Sequence, residues 1–463
     1  MRVFHLAIVY LLVIFFVQSA AAKYPAKVVI IGIDGASLNI VEPYAQKGVI
    51  PNIAKLMQEG TRGHLESYWP TRTPQVWTSA VTGKLPGQHG IWDHKTDTAF
   101  NPPNVRTQTS HVVTSNDRKS KALWNILDQY GVRSLTVGWV ISWPAEPLKH
   151  GIMIAPKELL GDKRQTTIKG SFYRDVKNFV QPSSLEPQAT KLIVEASDIS
   201  DTEITYFADV PRDHSPIYQL PYLKRYMYTF KWSLARARSV EALTLNFVDQ
   251  AKAEVVLAYF QCTDTMGHRF WIFKEPLWYV EQRLKDLGLP TWHISELQRR
   301  FGRAFEQCYI DTDARIGRIL DAVRGPDTLV LLLSDHGFGH VERPHPFKSE
   351  PYGGVHLDQG IIVANGPGIN AAKILNDVSI LDITPTVLFY LGLPTAKDMR
   401  GKIAKTLFTP AFLAKQQIKS IPSYESTPQN DCPYSQGYPP RKIPLKPTAD
   451  QMNGRNPYFS KPN

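Results

Sequence analysis

A series of short apolar runs that alternate with helical segments constrains the fold of this chain most strongly. The runs at 27–33 (KVVIIGI), 255–261 (VVLAYFQ) and 329–333 (LVLLL) are rich in β-branched or leucine residues and are too short for buried helices. Helical patterns separate them, at 52–59, 122–130 and 295–323, and further strands and a helix are expected at 134–141, 360–363 and 380–391. Buried strands alternating with helices predict an α/β fold with a largely parallel central sheet and helices on both faces.

Two segments interrupt this alternation and suggest the domain boundaries. Residues 156–222 are polar, with short strand-like pieces such as 202–207 (TEITYF), which predicts a small inserted cap; long surface loops are the alternative. The core then comprises 23–155 and 223–410, with a shorter aromatic insertion near 269–291. Residues 411–463 are rich in Pro, Ser, Tyr and Lys without periodicity, which predicts a disordered or draped tail.

The first 22 residues predict a signal peptide. Arg2 precedes an apolar run at 3–17, and small residues offer a cleavage site near Ala22. A retained anchor is the alternative, although the run is short for spanning a bilayer. We therefore expect an exported protein, periplasmic or secreted, that contacts a membrane only if this segment is retained. The absence of an N-x-[ST] sequon favours a bacterial exported protein.

Cysteine count and charge exclude several protein classes. The three cysteines, Cys262, Cys308 and Cys432, are too few for a disulfide scaffold and form no metal motif. Either they are buried thiols, or two form one bridge and the third is left over. The net charge of +11 is not concentrated in basic runs, so no nucleic-acid-binding module is expected. This charge fits an anionic substrate or an anionic surface.

Carboxylate and imidazole side chains stand where the predicted strands end or begin. They are Asp34, Asp264, His268, Asp335, His336 and His356. In open α/β sheets ligands bind at the carboxyl ends of the strands, so these residues can converge although they are distant in sequence. Carboxylate and imidazole suit zinc, and two neighbouring metals can hold the attacking and leaving oxygens of an in-line displacement at phosphorus.

The stretch at 69–77 (WPTRTPQVW) supplies the hydroxyl group that this set lacks. Two prolines constrain a turn ahead of a predicted helix at 76–81, and a threonine in such a turn can serve as a helix cap. A threonine can also be a nucleophile when a metal activates its hydroxyl, and a helix N-terminus favours a phosphoryl oxygen. The turn therefore has a structural and a catalytic interpretation.

Five motifs in order resemble the alkaline phosphatase superfamily, and within it the type I phosphodiesterase / nucleotide pyrophosphatase branch. They are IGIDG, PTRTP followed by TGKLPGQHGI, TDTMGH, SDHGFG and GGVHLDQGIIVANGPGI. The resemblance covers about 27–155 and 235–405 and leaves out the cap and the tail. It implies two zinc ions, other divalent metals being an alternative, and a threonine that forms a covalent phospho-enzyme.

The resemblance also assigns roles residue by residue. It places Asp34, Thr73, Asp335 and His336 on one metal, and Asp264, His268 and His356 on the other. Thr73 matches the nucleophile, Thr71 the turn and cap residue, and His89 a structural position. The branch usually carries an asparagine just after the HGI element, where this chain has Trp92-Asp93-His94. His94 or Arg72 is therefore the expected contact for a phosphoryl oxygen, and this departure leaves the substrate open.

Several activities are compatible with these motifs. The leading expectation is hydrolysis of phosphodiester or pyrophosphate bonds in small phosphate esters, such as nucleotides or lipid headgroups. A phosphomonoesterase, a phosphonate hydrolase and a headgroup phosphotransferase are alternatives. A sulfatase is disfavoured because the Cys/Ser-x-Pro-x-Arg element that forms its modified nucleophile is absent. A metal-free binding protein would have lost ligand positions, whereas all seven are present.

Overall fold

A computed structural model describes residues 25–97, 111–157, 171–209, 221–286, 291–292, 294–339 and 353–425. The predicted signal peptide lies outside these residues, as do the predicted tail beyond residue 425 and parts of the predicted cap. Of the helices in these ranges, none combines the length and apolarity needed to cross a membrane.

The strands in the described residues are short, as expected for an α/β protein. They are β1 Ala26–Ile33, β2 Thr61–Glu66, β3 Ser134–Val137, β4 Ile152–Ile154, β5 Val180–Gln181, β6 Val255–Phe260, β7 Arg324–Leu333, β8 Gly337–Gly339, β9 Val355–Leu357, β10 Gln359–Asn365, β11 Lys373–Ser379, β12 Thr395–Ala396 and β13 Ser420–Ile421.

Helices occupy most of the connections between these strands. They are α1 Leu38–Gln46, α2 Pro51–Glu59, α3 Thr73–Thr82, α4 Pro86–His89, α5 Leu123–Gln129, α6 Glu186–Leu192, α7 Asp201–Ile204, α8 Pro221–Ala251, α9 Cys262–Phe270, α10 Leu277–Asp286, α11 Ile294–Phe301, α12 Ala304–Val323, α13 Ile383–Tyr390 and α14 Pro410–Lys415.

A nine-stranded sheet organises the described chain, in the order β11-β2-β10-β7-β1-β6-β3-β4-β5. Its consecutive central strands β7, β1, β6, β3 and β4 are parallel to one another, whereas β10 runs antiparallel to both β7 and β2, and β5 runs antiparallel to β4. Two smaller ladders join β8 to β9 and β12 to β13. The prediction of an α/β fold with a largely parallel sheet is therefore confirmed.

The central strands β1, β3 and β6 are buried on both faces of the sheet, which explains why they read as continuous apolar runs. Along β1, Val29, Ile31 and Ile33 pack into one core with α1, α2, α8, α9 and α12. Val28 and Ile30 point to the other face and pack into a second core with α3, α5 and α13. The period of two residues along each strand thus assigns alternate side chains to the two cores.

Some local predictions differ from the structure. Residues 202–207 were expected to be strand-like, but this is wrong, because α7 begins there with a capping box between Ser200 and Glu203. The predicted helical stretch 295–323 forms two helices, α11 and α12, which are separated at Gly302 and Arg303. The predicted strand 134–141 ends at Val137, where Gly138 turns the chain.

The alternatives for the cysteines are resolved for two of the three. Cys262 at the start of α9 and Cys308 in α12 form a disulfide, and their Cα atoms lie 6.1 Å apart, within the usual range. Cys432 lies outside the described residues. The bridge therefore joins two helices that pack on the same face of the sheet.

Candidate active site

Asp34 stands at the carboxyl end of the central strand β1. Its backbone N–H donates a hydrogen bond to the carbonyl oxygen of Phe260, at the end of neighbouring β6, over 2.9 Å. The next residue, Gly35, has a φ of +73°, and a Cβ there would lie 2.7 Å from the ring of Phe338. Glycine is therefore required for the chain to turn away from the sheet beside Asp34.

Asp264 and His268 lie on α9, which begins just after β6. Residues four apart share one face of a helix, so both side chains point to the same region. Oδ1 of Asp264 is 3.2 Å from Nε2 of His268. The carboxylate is buried, whereas the imidazole is 21% exposed.

Asp335 and His336 follow β7, on the other side of β1. Nδ1 of His336 lies 3.1 Å from the carbonyl oxygen of Gly337, a contact that uses the Nδ1 proton and directs Nε2 toward the carboxylates. That Nε2 is 3.3 Å from Oδ1 of Asp34 and 3.6 Å from both Oδ1 of Asp264 and Oδ2 of Asp335. His336 thus lies between three carboxylates, two of which follow strands β1 and β7 while the third, Asp264, lies in α9.

His356 reaches the same place from the small β8–β9 ladder, where it pairs with Phe338. Its Nδ1 lies 3.0 Å from the carbonyl oxygen of Thr71, which again directs Nε2 toward the site. Nε2 is 3.4 Å from Oδ1 of Asp264 and 2.8 Å from Nε2 of His268. The turn at 69–77 is therefore tied directly to the cluster of carboxylates and imidazoles.

The electrostatics of the cluster reflect burial together with like charges at close range. Burial, and then the negative charge of Asp34, raises the pKa of Asp335 well above its usual range. Burial alone would lower the pKa of His336, but Asp335, Asp34 and Asp264 together raise it to about 9. Burial and the charge of His336 lower the pKa of His356. A divalent cation would neutralise the repulsion between these carboxylates.

Two overlapping groups in the described residues have the geometry to hold a metal ion. One is Asp34, Asp335 and His336, and the other is Asp264, His336 and His356. The resemblance assigned His336 to the first metal only, whereas here its Nε2 lies within reach of both groups. His268 contacts the second group through Asp264 and His356. The donor set of carboxylates and imidazoles fits zinc or a similar divalent ion.

Thr73 is the first residue of α3, at the point where the constrained turn enters the helix. Its Oγ1 is buried and has no hydrogen-bond partner among the described residues. Buried hydroxyl groups are nearly always paired, so an unpaired one calls for an explanation such as an absent ion. The expectation that Thr71 caps this helix is wrong, because Arg72 occupies the N-cap position and no side chain caps α3. Thr71 instead offers its carbonyl oxygen to His356.

Both expected substrate contacts, Arg72 just before Thr73 and His94 further along the chain, are neighbours of Asp93. Burial lowers the pKa of Arg72, and the negative charge of Asp93 opposes that shift. Asp93 also accepts a hydrogen bond from the backbone N–H of His94 at 2.8 Å, and the His94 side chain is buried. The contact of either residue with a phosphoryl oxygen stays a prediction.

His89 occupies a structural position, as the resemblance implied. Its Nε2 is 3.0 Å from Oγ of Ser79 on α3, and its Nδ1 accepts the backbone N–H of Ile91 at 3.1 Å. Burial, with the positive charges of Arg118 and Lys84, lowers the pKa of His89 to about 3. The imidazole is therefore neutral at physiological pH and braces the helix that begins with Thr73.

Sequence reasoning missed two aromatic residues of the site. The ring of Phe338 packs against His268, His336 and His356, at centroid distances of 5.1, 5.6 and 5.2 Å. Tyr259 donates a hydrogen bond from its hydroxyl group to Oδ2 of Asp34. The only sequence signal for either was its place beside a charged motif, in SDHGFG and in VVLAYFQCTD.

Residues 28–376 match the type I phosphodiesterase / nucleotide pyrophosphatase family. The chain belongs to this family. The match includes every residue of the cluster, and it confirms the family predicted from the five motifs. Members of the family hydrolyse phosphate esters, and the fold and the cluster described above are consistent with such a hydrolase.

The similarity to individual proteins is weaker than the match to the family. Arylsulfatase K from dog is 32% identical over 117 residues, which make up 24% of this chain and 21% of the relative, and the human protein is 31% identical over the same length. The matches thus span about a fifth of these relatives. Among solved structures, a putative sulfatase from Bacteroides thetaiotaomicron (14% identity, TM-score 0.45) covers 83% of this chain and 75% of its own. Phosphonoacetate hydrolase from Sinorhizobium meliloti (11%, TM-score 0.35) covers 70% and 58%.

Proposed function

We propose that this protein is a two-metal hydrolase that cleaves phosphodiester or pyrophosphate bonds, with Thr73 as the nucleophile. The observation that carries the proposal is the buried, unpaired hydroxyl group of Thr73 on a turn that is tied through Thr71 to His356. A buried hydroxyl group on a turn that contacts a group of acidic and imidazole side chains suited to divalent metals supports phosphoryl transfer to a threonine.

The residues that would hold the metals are those of the two overlapping groups, with His268 and Thr73 as further ligands. Zinc is the expected metal, and when bound it would supply Lewis acidity toward a phosphoryl oxygen and stabilise the ionised threonine hydroxyl. The protein itself fixes the ligands: backbone carbonyl oxygens hold Nδ1 of His336 and of His356, so both imidazoles present Nε2.

The proposed reaction has two steps. Oγ1 of Thr73 forms a bond to phosphorus, the bond from phosphorus to the leaving oxygen breaks, and the hydroxyl proton passes to the leaving group or to solvent. Water then cleaves the phosphothreonine bond and regenerates the hydroxyl group. Arg72, adjacent to Thr73, and His94 are the proposed donors to a phosphoryl oxygen, in place of the asparagine that the family usually carries.

A second candidate is hydrolysis of sulfate esters, which the partial match to arylsulfatase K favours. The absent Cys/Ser-x-Pro-x-Arg element speaks against it, because threonine cannot become the aldehyde-derived nucleophile of those enzymes. Phosphomonoesters and phosphonates are smaller departures from the leading proposal, since they use the same site.

Rates on matched nitrophenyl substrates test the proposal. The full chain is assayed on bis-p-nitrophenyl phosphate, p-nitrophenyl phosphate and p-nitrophenyl sulfate, with metal content measured on the same sample. We expect the diester to be cleaved fastest, with activity lost on chelation and restored by zinc. A preference for the monoester would identify a phosphomonoesterase, and a preference for the sulfate would overturn the proposal.

We also propose that the protein is exported, as a periplasmic or secreted enzyme. The signal-like first 22 residues and a disulfide between Cys262 and Cys308 support this proposal. N-terminal sequencing of protein expressed with its own leader should find a start near Lys23. An intact Met1 in a membrane fraction would indicate a retained anchor instead.

A further inference from the structure

The two oxygens of the Asp34 carboxylate have different surroundings. Oδ2 accepts a hydrogen bond from the hydroxyl group of Tyr259, and both side chains are fully buried. Oδ1 is buried, forms no hydrogen bond with the described residues, and lies 3.3 Å from Nε2 of His336. One oxygen therefore contacts a phenol, and the other faces the cluster of candidate metal ligands.

Close packing holds the ring of Tyr259 in place. Its centroid lies 5.2 Å from that of Trp77 and 6.1 Å from that of Trp139, and the guanidinium group of Arg236 lies 5.3 Å from it. Gly32, its partner in the β1–β6 register, provides the space for these rings, because a Cβ there would lie 2.9 Å from Trp77 and 3.0 Å from Tyr259. A ring confined in this way presents its hydroxyl group in one direction.

We propose that Tyr259 is a positioning residue that makes Asp34 a one-oxygen metal ligand. Its hydroxyl group occupies Oδ2, so that only Oδ1 is presented to a divalent cation. Hydrogen bonds from the layer behind the ligands orient ligating carboxylates, and their loss typically weakens metal binding by about 10- to 100-fold. The inference rests on the metal site of the proposed function.

The same ring connects the ligand to the nucleophile. Trp77, which packs edge-on against Tyr259, lies one turn after Thr73 on α3. The contact places a metal-ligand candidate and the helix that carries the nucleophile against one rigid aromatic group. In this proposal Tyr259 therefore supports both the ligand Asp34 and the helix that carries Thr73.

The variant Tyr259→Phe tests this inference, because it removes one oxygen atom and retains the ring. We expect the dissociation constant of the tighter divalent ion to rise roughly 10- to 100-fold, measured by titrating zinc into the full chain in competition with a chromophoric chelator. Thermal unfolding of the metal-free variant should stay close to that of the wild type. The matched control is Tyr309→Phe, a fully buried tyrosine whose hydroxyl group donates to the Gly35 carbonyl oxygen at 3.4 Å, and its zinc affinity should be unchanged.

Equal zinc affinities for the wild type and Tyr259→Phe would overturn the inference and leave the proposed function intact. Failure of the wild type to bind any divalent ion would overturn both. A second test needs no variant: in a crystal structure of the zinc-loaded wild type, Asp34 should ligate through Oδ1 alone, with Oδ2 on Tyr259. Coordination through both oxygens, or through Oδ2, would contradict the inference.

Discussion

The two halves of the candidate site differ in how they are enclosed. Asp34, Asp335 and His336 lie at strand ends and have no exposed side-chain surface. The other half has a buried carboxylate, Asp264, but His268 and His356 are 21% and 18% exposed. Its ligands come from a helix and a two-stranded ladder rather than from the central sheet. We infer that the first half is a rigid, water-excluded group and that the second is open to solvent and substrate.

The largest effect should come from a change at Thr73, the proposed nucleophile. Thr73→Ala removes the proposed nucleophile, so kcat on bis-p-nitrophenyl phosphate should fall by roughly 1000-fold or more. Thr73→Ser keeps a hydroxyl group and should retain a measurable part of the activity. Wild-type kcat in the alanine variant would contradict the proposed mechanism.

The disulfide should matter mainly to the open half, because Cys262 begins the helix that carries Asp264 and His268. Closing a loop of this size, with a sequence separation of 46, stabilises a protein by up to about 4 kcal/mol through chain entropy. The variant Cys262→Ala/Cys308→Ala should therefore unfold at lower denaturant concentration, and treating the wild type with reductant should reproduce most of the shift. Identical denaturation curves with and without reductant would show that the bridge does not hold this half.

Metal affinity tests the comparison directly. Asp335→Asn removes a ligand from the enclosed half, where water cannot replace it, and should weaken the tighter metal by about 100-fold or more. His268→Gln changes the open half, where water can substitute, and should weaken only the second metal, by about 10-fold. Competition titrations that resolve two dissociation constants measure both effects. Equal losses in the two variants would mean that the halves are not distinct.

The smallest effect concerns the pH dependence of stability that arises from His89, which supports α3 and is not a candidate metal ligand. The pKa of His89 is lowered to about 3, from an ordinary value of about 6.5. The imidazole is therefore neutral in the folded protein. The stability that it contributes is complete above pH 6.5 and is lost as the pH falls toward 3, because the unfolded chain binds the proton first. Between pH 6.5 and 5 the loss should be about 2 kcal/mol.

Denaturant unfolding at several pH values measures this dependence. His89→Gln should flatten the curve over that range while binding metal as the wild type does. If the free energy of unfolding of His89→Gln falls with pH as steeply as that of the wild type, the acid sensitivity belongs to the carboxylates of the site instead.

Sequence reasoning was sound where a residue's neighbours along the chain decide its environment. The β-branched runs at 27–33 and 255–261 predicted buried strands. Asp34 directly follows the first run, and Asp264 comes three residues after the second. It was wrong where a local competitor decided the outcome: the capping box of Ser200 and Glu203 produces a helix at α7, and Arg72 rather than Thr71 occupies the N-cap of α3.

The sequence alone determined the fold class, the family, and which carboxylates, imidazoles and hydroxyl group stand at the strand ends, because strand period and motif spacing are local properties. Only the tertiary structure decided that His336 lies between both groups of candidate ligands, that Thr71 holds His356 through its carbonyl oxygen, and that Tyr259 holds Oδ2 of Asp34. The contacts of Thr71 with His356 and of Tyr259 with Asp34 join residues 285 and 225 positions apart, and their geometry depends on how the two cores pack against the sheet.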